Sequence, residues 1–584
     1  MTPPPESPLH FIARRSAVYG THAMVSSSQP SATQAGIEVL KKGGNAADAA
    51  VAVAATLGVT EPSSTGIGGD AFCLFYDAKS KTVKGLNGSG RTPAALNLDL
   101  LRKEGIEGQG LPSASVHSVT VPGAAAAWVD CVDWFGSGKV DLETILKPAI
   151  DLAENGFAVA EVSSHLWKNH EQALIDVNPG QKLEYLIDGV RAPEVGEVMT
   201  LPTLAKSYKV LASEGKAGFY QGSIGQSIVS AVNRRGGVLT MQDLANHASS
   251  QPVEPISIDY HDHTVWEIPP NGQGITALMA LGIIEALEAN GSVDFTQLDH
   301  NSAAYLHVVI EALRLAFADT RYYVGDPDVV HVPVQELLSK KYLAERAKLI
   351  DLRHRTSTIQ KGYPENMGDT VYFSVVDEEG NACSFINSTF MGFGSHIIPE
   401  ECGFPLHNRG CNFVLVEGHP NCIGPNKRPY HTIIPSMITK KQENGQHEFE
   451  ACFGVMGGFT QPQGQVQVVL NMLRYLQNPQ HSLDLPRLTI APPPATETID
   501  SSQDTGAYSF TDVSHSVVYL EDGITNKAIQ DLEAMGHTCI RLEGHARAMM
   551  GRGQIIRAKT DKRTGKRVLV AGSDPRGDGH AQGW

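Results

Sequence analysis

No stretch of the chain approaches the roughly 18 uninterrupted apolar residues of a membrane-crossing helix, so no transmembrane segment is expected. The opening MTPPPESPLHFIARRSAVYG lacks a basic start followed by an apolar run. A secretory signal is therefore not expected, and the expected location is cytoplasmic. Positive charge is also short: with a net charge of -16 the chain has no basic footprint for nucleic acid. Cysteine is sparse, with eight scattered residues and no CxxC pair or Cys/His ligand cluster. That pattern argues against a disulfide framework and against a structural zinc site, and neither metal nor cofactor is expected. There is no internal repeat and no low-complexity tract.

What remains reads as an ordinary globular enzyme, 41% hydrophobic and 19% charged, with 57 glycines. Residues 1–20 read as a Pro-rich flexible lead. SATQAGIEVLKKGGNAADAAVAVAATL (31–57) predicts two helices broken at Gly43-Gly44-Asn45, the second apolar on most sides and buried. PPNGQG (269–274) predicts a turn feeding a helix, and Leu306, Ile310, Leu313 and Phe317 line one face of another. After the polar segment KGYPENMGD the period changes. Val371, Phe373 and Val375 alternate with Thr370, Tyr372 and Ser374; DEEGN turns the chain, and ACSFI returns as a second strand. Helices early and strands late suggest helices layered on packed sheets.

Thr370 carries the chemical interest. A threonine hydroxyl is a weak nucleophile unless a base adjoins it, and a threonine at a new N-terminus carries its own base, the α-amine. That amine titrates at about 7.7–8.0 when unperturbed. The chemistry requires a cut between Asp369 and Thr370. Taken alone, a threonine at a strand start is ordinarily structural.

Its surroundings change that reading. GDTVYFSVVDEEGNACSF resembles the processing segment of the γ-glutamyltranspeptidase family of N-terminal-nucleophile hydrolases. GGNAADAAVA, EPSSTGIGGDAF, GSGRTP, FADTRYYVGDPD, GPNKRP, GVMGG and SDPRGDG match the family in the same order, over nearly the whole chain. The resemblance implies an α/β (α+β) fold, a four-layer αββα sandwich built jointly by a large chain (21–369) and a small chain (370–584). These two chains form a heterodimer cut from one precursor, and the substrate is a small-molecule amide. It implies Thr370 as nucleophile and processing residue, Ser388 as a hydroxyl bonded to it, and Gly457 and Gly458 as the oxyanion hole. Glycine suits that task because backbone N–H donors can approach an oxyanion without reorganising. Arg91 aligns with the arginine that clamps the glutamyl α-carboxylate.

The departures fall in the acyl pocket. Where typical members hold the glutamyl ammonium with Asp, Asn and Gln, this chain has Asn412, Phe390 and Arg409. The family's serine pair reads His431 and Thr432. Arg409 would repel an ammonium, so the pocket reads as tuned to anionic or neutral acyl groups. The stretch from Asn412 to His431 is shorter than in members that carry a lid there. PYHTIIPSM and GVMGGFTQPQGQ resemble the branch with oxamate amidohydrolase and γ-glutamyltransferase-like proteins. The implied activity is hydrolysis or transfer of γ-glutamyl amides such as glutathione. The alternatives are an amidohydrolase or acylase for a small anionic amide, and an unprocessed binding protein. His300 and His307 have no partners in the sequence that would complete a metal set.

Overall fold

Two antiparallel sheets stack face to face in the computed structural model, which describes residues 15–247, 252–356, 369–491 and 516–584. The six-stranded sheet runs His580–Gly583, Met24–Ser27, Asp369–Val376, Ala382–Phe390, Asp70–Asp77, Thr82–Gly88. The seven-stranded sheet runs Val18–Gly20, Arg567–Ser573, Gly553–Thr560, His447–Val455, Ser436–Lys441, His263–Glu267, Ile256–Tyr260. Each sheet takes strands from both sides of Thr370.

The alternation in the 370–376 segment sets the layers. Val371, Phe373 and Val375 join the helix-side core with the helices Ala46–Thr60, Ala124–Phe135 and Leu142–Asn155. Tyr372 and Val376 face the other way, into a core shared with Met437, Cys452 and Ile556 of the second sheet. Helices Gly274–Ala289, Ala303–Tyr323 and Thr460–Leu473 cover the outer face of that second sheet. The result is the expected αββα sandwich, held by apolar burial on three parallel planes.

Helix Ala46–Thr60 is buried along its whole length, as its all-round apolar sequence predicts. Asn45 starts it with a capping box: its side chain accepts from Ala47 and Asp48 N–H, while Asp48 accepts from Asn45 N–H. The lead is shorter than its composition suggests. Val18–Gly20 pairs with Arg567–Ser573 as an edge strand, so the sheet already includes residues before 20. Residues 1–14 lie outside the described residues, as does most of KGYPENMGD. SDPRGDG forms a turn anchored by the buried Asp574, which receives Arg487 at 2.5 Å and Arg576 at 2.9 Å. No described helix is long and apolar enough to cross a membrane. All eight cysteines are free thiols.

Candidate active site

Thr370 is the second residue of the central strand Asp369–Val376 and is fully buried. Its neighbour Ala382–Phe390 pairs in regular register as far as Asn387 and then shifts before Phe390. That bulge, with Phe390 at φ 77°, re-aims the chain and brings Ser388 to Thr370. Thr370 Oγ1 donates to Ser388 Oγ at 3.0 Å, and Ser388 Oγ donates to the Asp369 carbonyl at 2.8 Å. Ser388 Oγ also accepts from Phe390 N at 2.8 Å and from Arg409 Nη2 at 3.1 Å.

Arg409 is buried, with its guanidinium over the Phe390 ring at 4.3 Å and its Nη1 donating to Thr432 Oγ1 at 2.6 Å. Burial pushes it down to about 10, with Asp70 opposing, so it remains charged at neutral pH. The Gly457-Gly458 turn enters helix Thr460–Leu473 with φ values of 125° and 57°, a backbone that glycine adopts without strain. Two glutamines brace this region. Gln461 Nε2 reaches Thr370 Oγ1 at 3.5 Å, and Gln273 Nε2 bridges the carbonyls of Gly458 (2.9 Å) and Thr432 (2.7 Å). Neither glutamine was singled out from the sequence.

A family model for γ-glutamyltranspeptidase matches residues 32–584. The chain belongs to that family. It is 35% identical to the glutathione hydrolase-like YwrD proenzyme of Bacillus subtilis, over 97% of this chain and 99% of that protein. It is 29% identical to the oxamate amidohydrolase proenzyme of Klebsiella pneumoniae, again over 97% and 99%. The crystal structure of cephalosporin acylase from Bacillus halodurans superposes with a TM-score of 0.84 at 37% identity, covering 100% of this chain and 99% of that one. The chain is an enzyme of the N-terminal-nucleophile hydrolase fold, and both of these curated relatives are named proenzymes.

Within this γ-glutamyltranspeptidase scaffold the remaining pocket positions separate. Thr432 and Phe390 stay with Arg409 beside Ser388. Asn412 is buried in the same short turn as Arg409. Asn412 Nδ2 and Arg409 Nε have no hydrogen-bond partner among the described residues. His431 turns away: its Nε2 donates to Asp70 Oδ2 at 2.9 Å. Arg91 sits elsewhere, lining a cavity of about 510 Å³ with Arg428, Asn87 and Asp328. Asp328 accepts from Arg91 at 2.5 Å and from Arg428 at 2.9 Å. None of Thr370, Ser388, Arg409, Gly457 and Gly458 lines that cavity.

Asp70 is a further residue that sequence reading did not single out. Its Oδ1 accepts from Gly90 and Gly123 N–H, both at 3.1 Å, and His407 Nδ1 lies 3.6 Å from Oδ2. Burial pushes this carboxyl up, but the imidazoles of His407 and His431 and the Arg409 guanidinium outweigh it and hold it well below the usual range. Burial, helped by Arg409, pushes His431 down to about 3, and burial also lowers His407. Asp70 and Arg409 are opposite charges of this cluster, and each favours the ionised form of the other.

A carboxyl lowered by folding stabilises above its unfolded value of about 3.9, and that contribution fades as pH falls through the lower folded value. The D70N protein should therefore melt several degrees below wild type at pH 7, a loss of about 3 kcal/mol for breaking a buried pair. The gap should narrow below about pH 4. Thermal melts across that range check both statements, and equal melting at pH 7 would refute the pairing.

Two other clusters have ligand-like composition. His307 Nδ1 faces His537 Nε2 at 2.8 Å, His307 Nε2 donates to the Asp351 carbonyl at 2.7 Å, and Glu311 accepts from Arg314 at 2.6 Å. These atoms already satisfy one another. Cys73, Cys131 and Cys383 meet in the apolar helix-side core, with Cys383 at the opposite end of its strand from Ser388.

Proposed function

We propose that the chain splits between Asp369 and Thr370, leaving 1–369 and 370–584 associated, and that the freed Thr370 hydrolyses or transfers acyl groups from amides. The observation that carries this reading is the buried Thr370 Oγ1–Ser388 Oγ–Asp369 carbonyl chain, at 3.0 and 2.8 Å. Once the α-amine is free it takes the Thr370 hydroxyl proton as the oxygen attacks the amide carbonyl. The N–H groups of Gly457 and Gly458 receive the oxyanion, at the positive end of helix Thr460–Leu473. The amine leaves with the proton, and water or a second amine releases the acyl group from Thr370. Glutathione-like γ-glutamyl amides are the substrates that family membership supplies.

A second reading concerns the acyl group, and Arg409 favours it. The guanidinium is buried two hydrogen bonds from the nucleophile, and its own Nε and the buried Nδ2 of Asn412 in the same turn are unspent. A terminal carboxylate fits these groups, whereas an ammonium meets a like charge in a dry pocket, at a cost of several kcal/mol. The acyl group then carries a carboxylate without the α-ammonium. One relative is named an oxamate amidohydrolase and another a cephalosporin acylase, so non-glutamyl acyl groups occur among similar proteins.

Glutaryl and γ-glutamyl anilides differ only in that ammonium and test the choice directly. The processed enzyme should turn over the glutaryl anilide with a kcat/KM at least about tenfold higher. A preference for the γ-glutamyl anilide would discard the second reading and retain the first.

A further inference from the structure

Ser388 Oγ is crowded in a way that assigns its proton. It has one hydrogen and two lone pairs. Phe390 N–H at 2.8 Å and Arg409 Nη2–H at 3.1 Å can only donate to it, and the Asp369 carbonyl at 2.8 Å can only accept. The Ser388 proton therefore points at the Asp369 carbonyl oxygen, and the Thr370 hydroxyl at 3.0 Å is a third donor to two lone pairs, sharing one of them with the more distant Arg409 Nη2–H at 3.1 Å. Before the cut the α-amine of Thr370 is tied up in the peptide bond and cannot act as base.

We propose that Arg409 is a positioning residue for self-cleavage: its charge holds and acidifies the Ser388 hydroxyl, which relays the Thr370 proton to the Asp369 carbonyl oxygen. This rests on Thr370 being the cleavage nucleophile. In the step, Thr370 Oγ1 bonds to the Asp369 carbonyl carbon and its proton moves to Ser388 Oγ. The proton that Ser388 held moves to the carbonyl oxygen, giving a neutral tetrahedral adduct. The C–N bond then breaks, the carbonyl reforms, and the adduct proton passes to the Thr370 nitrogen, leaving an ester and a free amine. Water hydrolyses the ester to the Asp369 carboxylate and the Thr370 hydroxyl.

The guanidinium bears on this step through Ser388. It shares the hydroxyl with the reacting atoms, is buried, and is locked by Thr432 Oγ1 at 2.6 Å and by the Phe390 face. A fixed cation one hydroxyl away from a developing oxyanion, in a site that excludes water, stabilises it without reorganisation. The family resemblance places a glutamine at this position. A neutral amide keeps a donor and loses the charge, so the charge is this chain's own contribution.

The test is a pulse–chase of the full-length chain in cell-free synthesis, with splitting followed on denaturing gels. R409Q should split at least about tenfold more slowly than wild type, and R409K should recover most of the rate. The double variant D70N/R409Q, which restores the charge balance with Asp70 but not the cation, should stay slow. Millimolar guanidinium should accelerate R409A. Wild-type splitting in R409Q would overturn the proposal. So would recovery in D70N/R409Q, or slow splitting that neither lysine nor guanidinium relieves, because each would make the role structural. T370A runs alongside: if it still splits, the nucleophile assignment fails independently of Arg409.

Discussion

The T370A protein should run as one full-length band on a denaturing gel and have no measurable amidase activity. Alanine offers no oxygen to attack the Asp369 carbonyl, so the chain has no internal route to the cut. It also offers no nucleophile afterwards, so even a chain split by other means stays inactive. Removing the nucleophile of a covalent mechanism typically costs on the order of 10⁴–10⁶ in kcat. T370S should split and turn over more slowly, because the hydroxyl survives but the methyl that fixes its rotamer is lost. The structural effect should be small. Among the described residues, Thr370 Oγ1 hydrogen-bonds only side chains, Ser388 and, at 3.5 Å, Gln461. An unchanged melting temperature with a single band therefore separates lost chemistry from lost folding. Splitting of T370A at the wild-type position would move the nucleophile elsewhere.

The sequence made the elements legible and hid the contacts between distant ones. The period-two pattern of 370–376 and the apolar run of 46–60 each determine which face is buried, because local periodicity maps directly onto burial. Motif order extended this to Thr370, Ser388 and the glycine pair. Asp70 escaped because its meaning depends on His431, 361 positions away, and on His407. In the sequence it reads as one polar residue ending a Gly-rich turn. His431 lies where the family contacts substrate, yet its side chain is engaged by Asp70.

The glutamines of helix Thr460–Leu473 were a signal that could have been used. Gln461, Gln463, Gln465 and Gln467 recur every second residue, a period that suits a strand, yet Thr460–Leu473 is a helix and all four are buried in it. Burial leaves them one task, which is to satisfy backbone groups. Gln463 and Gln467 each pair with both the N–H and the carbonyl of a strand residue, Ile490 and Leu488. Gln461 accepts from Ile434 N–H and extends its amide toward Thr370. The ladder thus fixes the helix whose N-terminal turn carries Gly457 and Gly458.

That fixed turn makes G457A the second large expected effect, with kcat falling by about 10²–10³ while the chain still folds and splits. Gly457 has φ 125°, a conformation that alanine enters only with strain, and an added Cβ would lie 3.2 Å from the Gly551 Cα. Gly551 cannot withdraw easily, because it is itself held at φ 70° against the Met456 carbonyl. The strain should be relieved by rotating the 457–458 peptide, which swings the Gly458 N–H off the oxyanion. Losing one such donor is worth about 2.7–4 kcal/mol of transition-state stabilisation. Self-cleavage should be less affected, since the oxygen of the Asp369 carbonyl is held by Ser388 at 2.8 Å. Comparing gel splitting with the kcat of the split enzyme therefore tests whether one chain uses two devices for two oxyanions. The Ser388 hydroxyl, backed by Arg409, would serve the first turnover on itself, and the glycine turn every turnover after it. Equal losses in both assays would mean that the glycine turn serves both reactions, and an undiminished kcat would remove it from the mechanism.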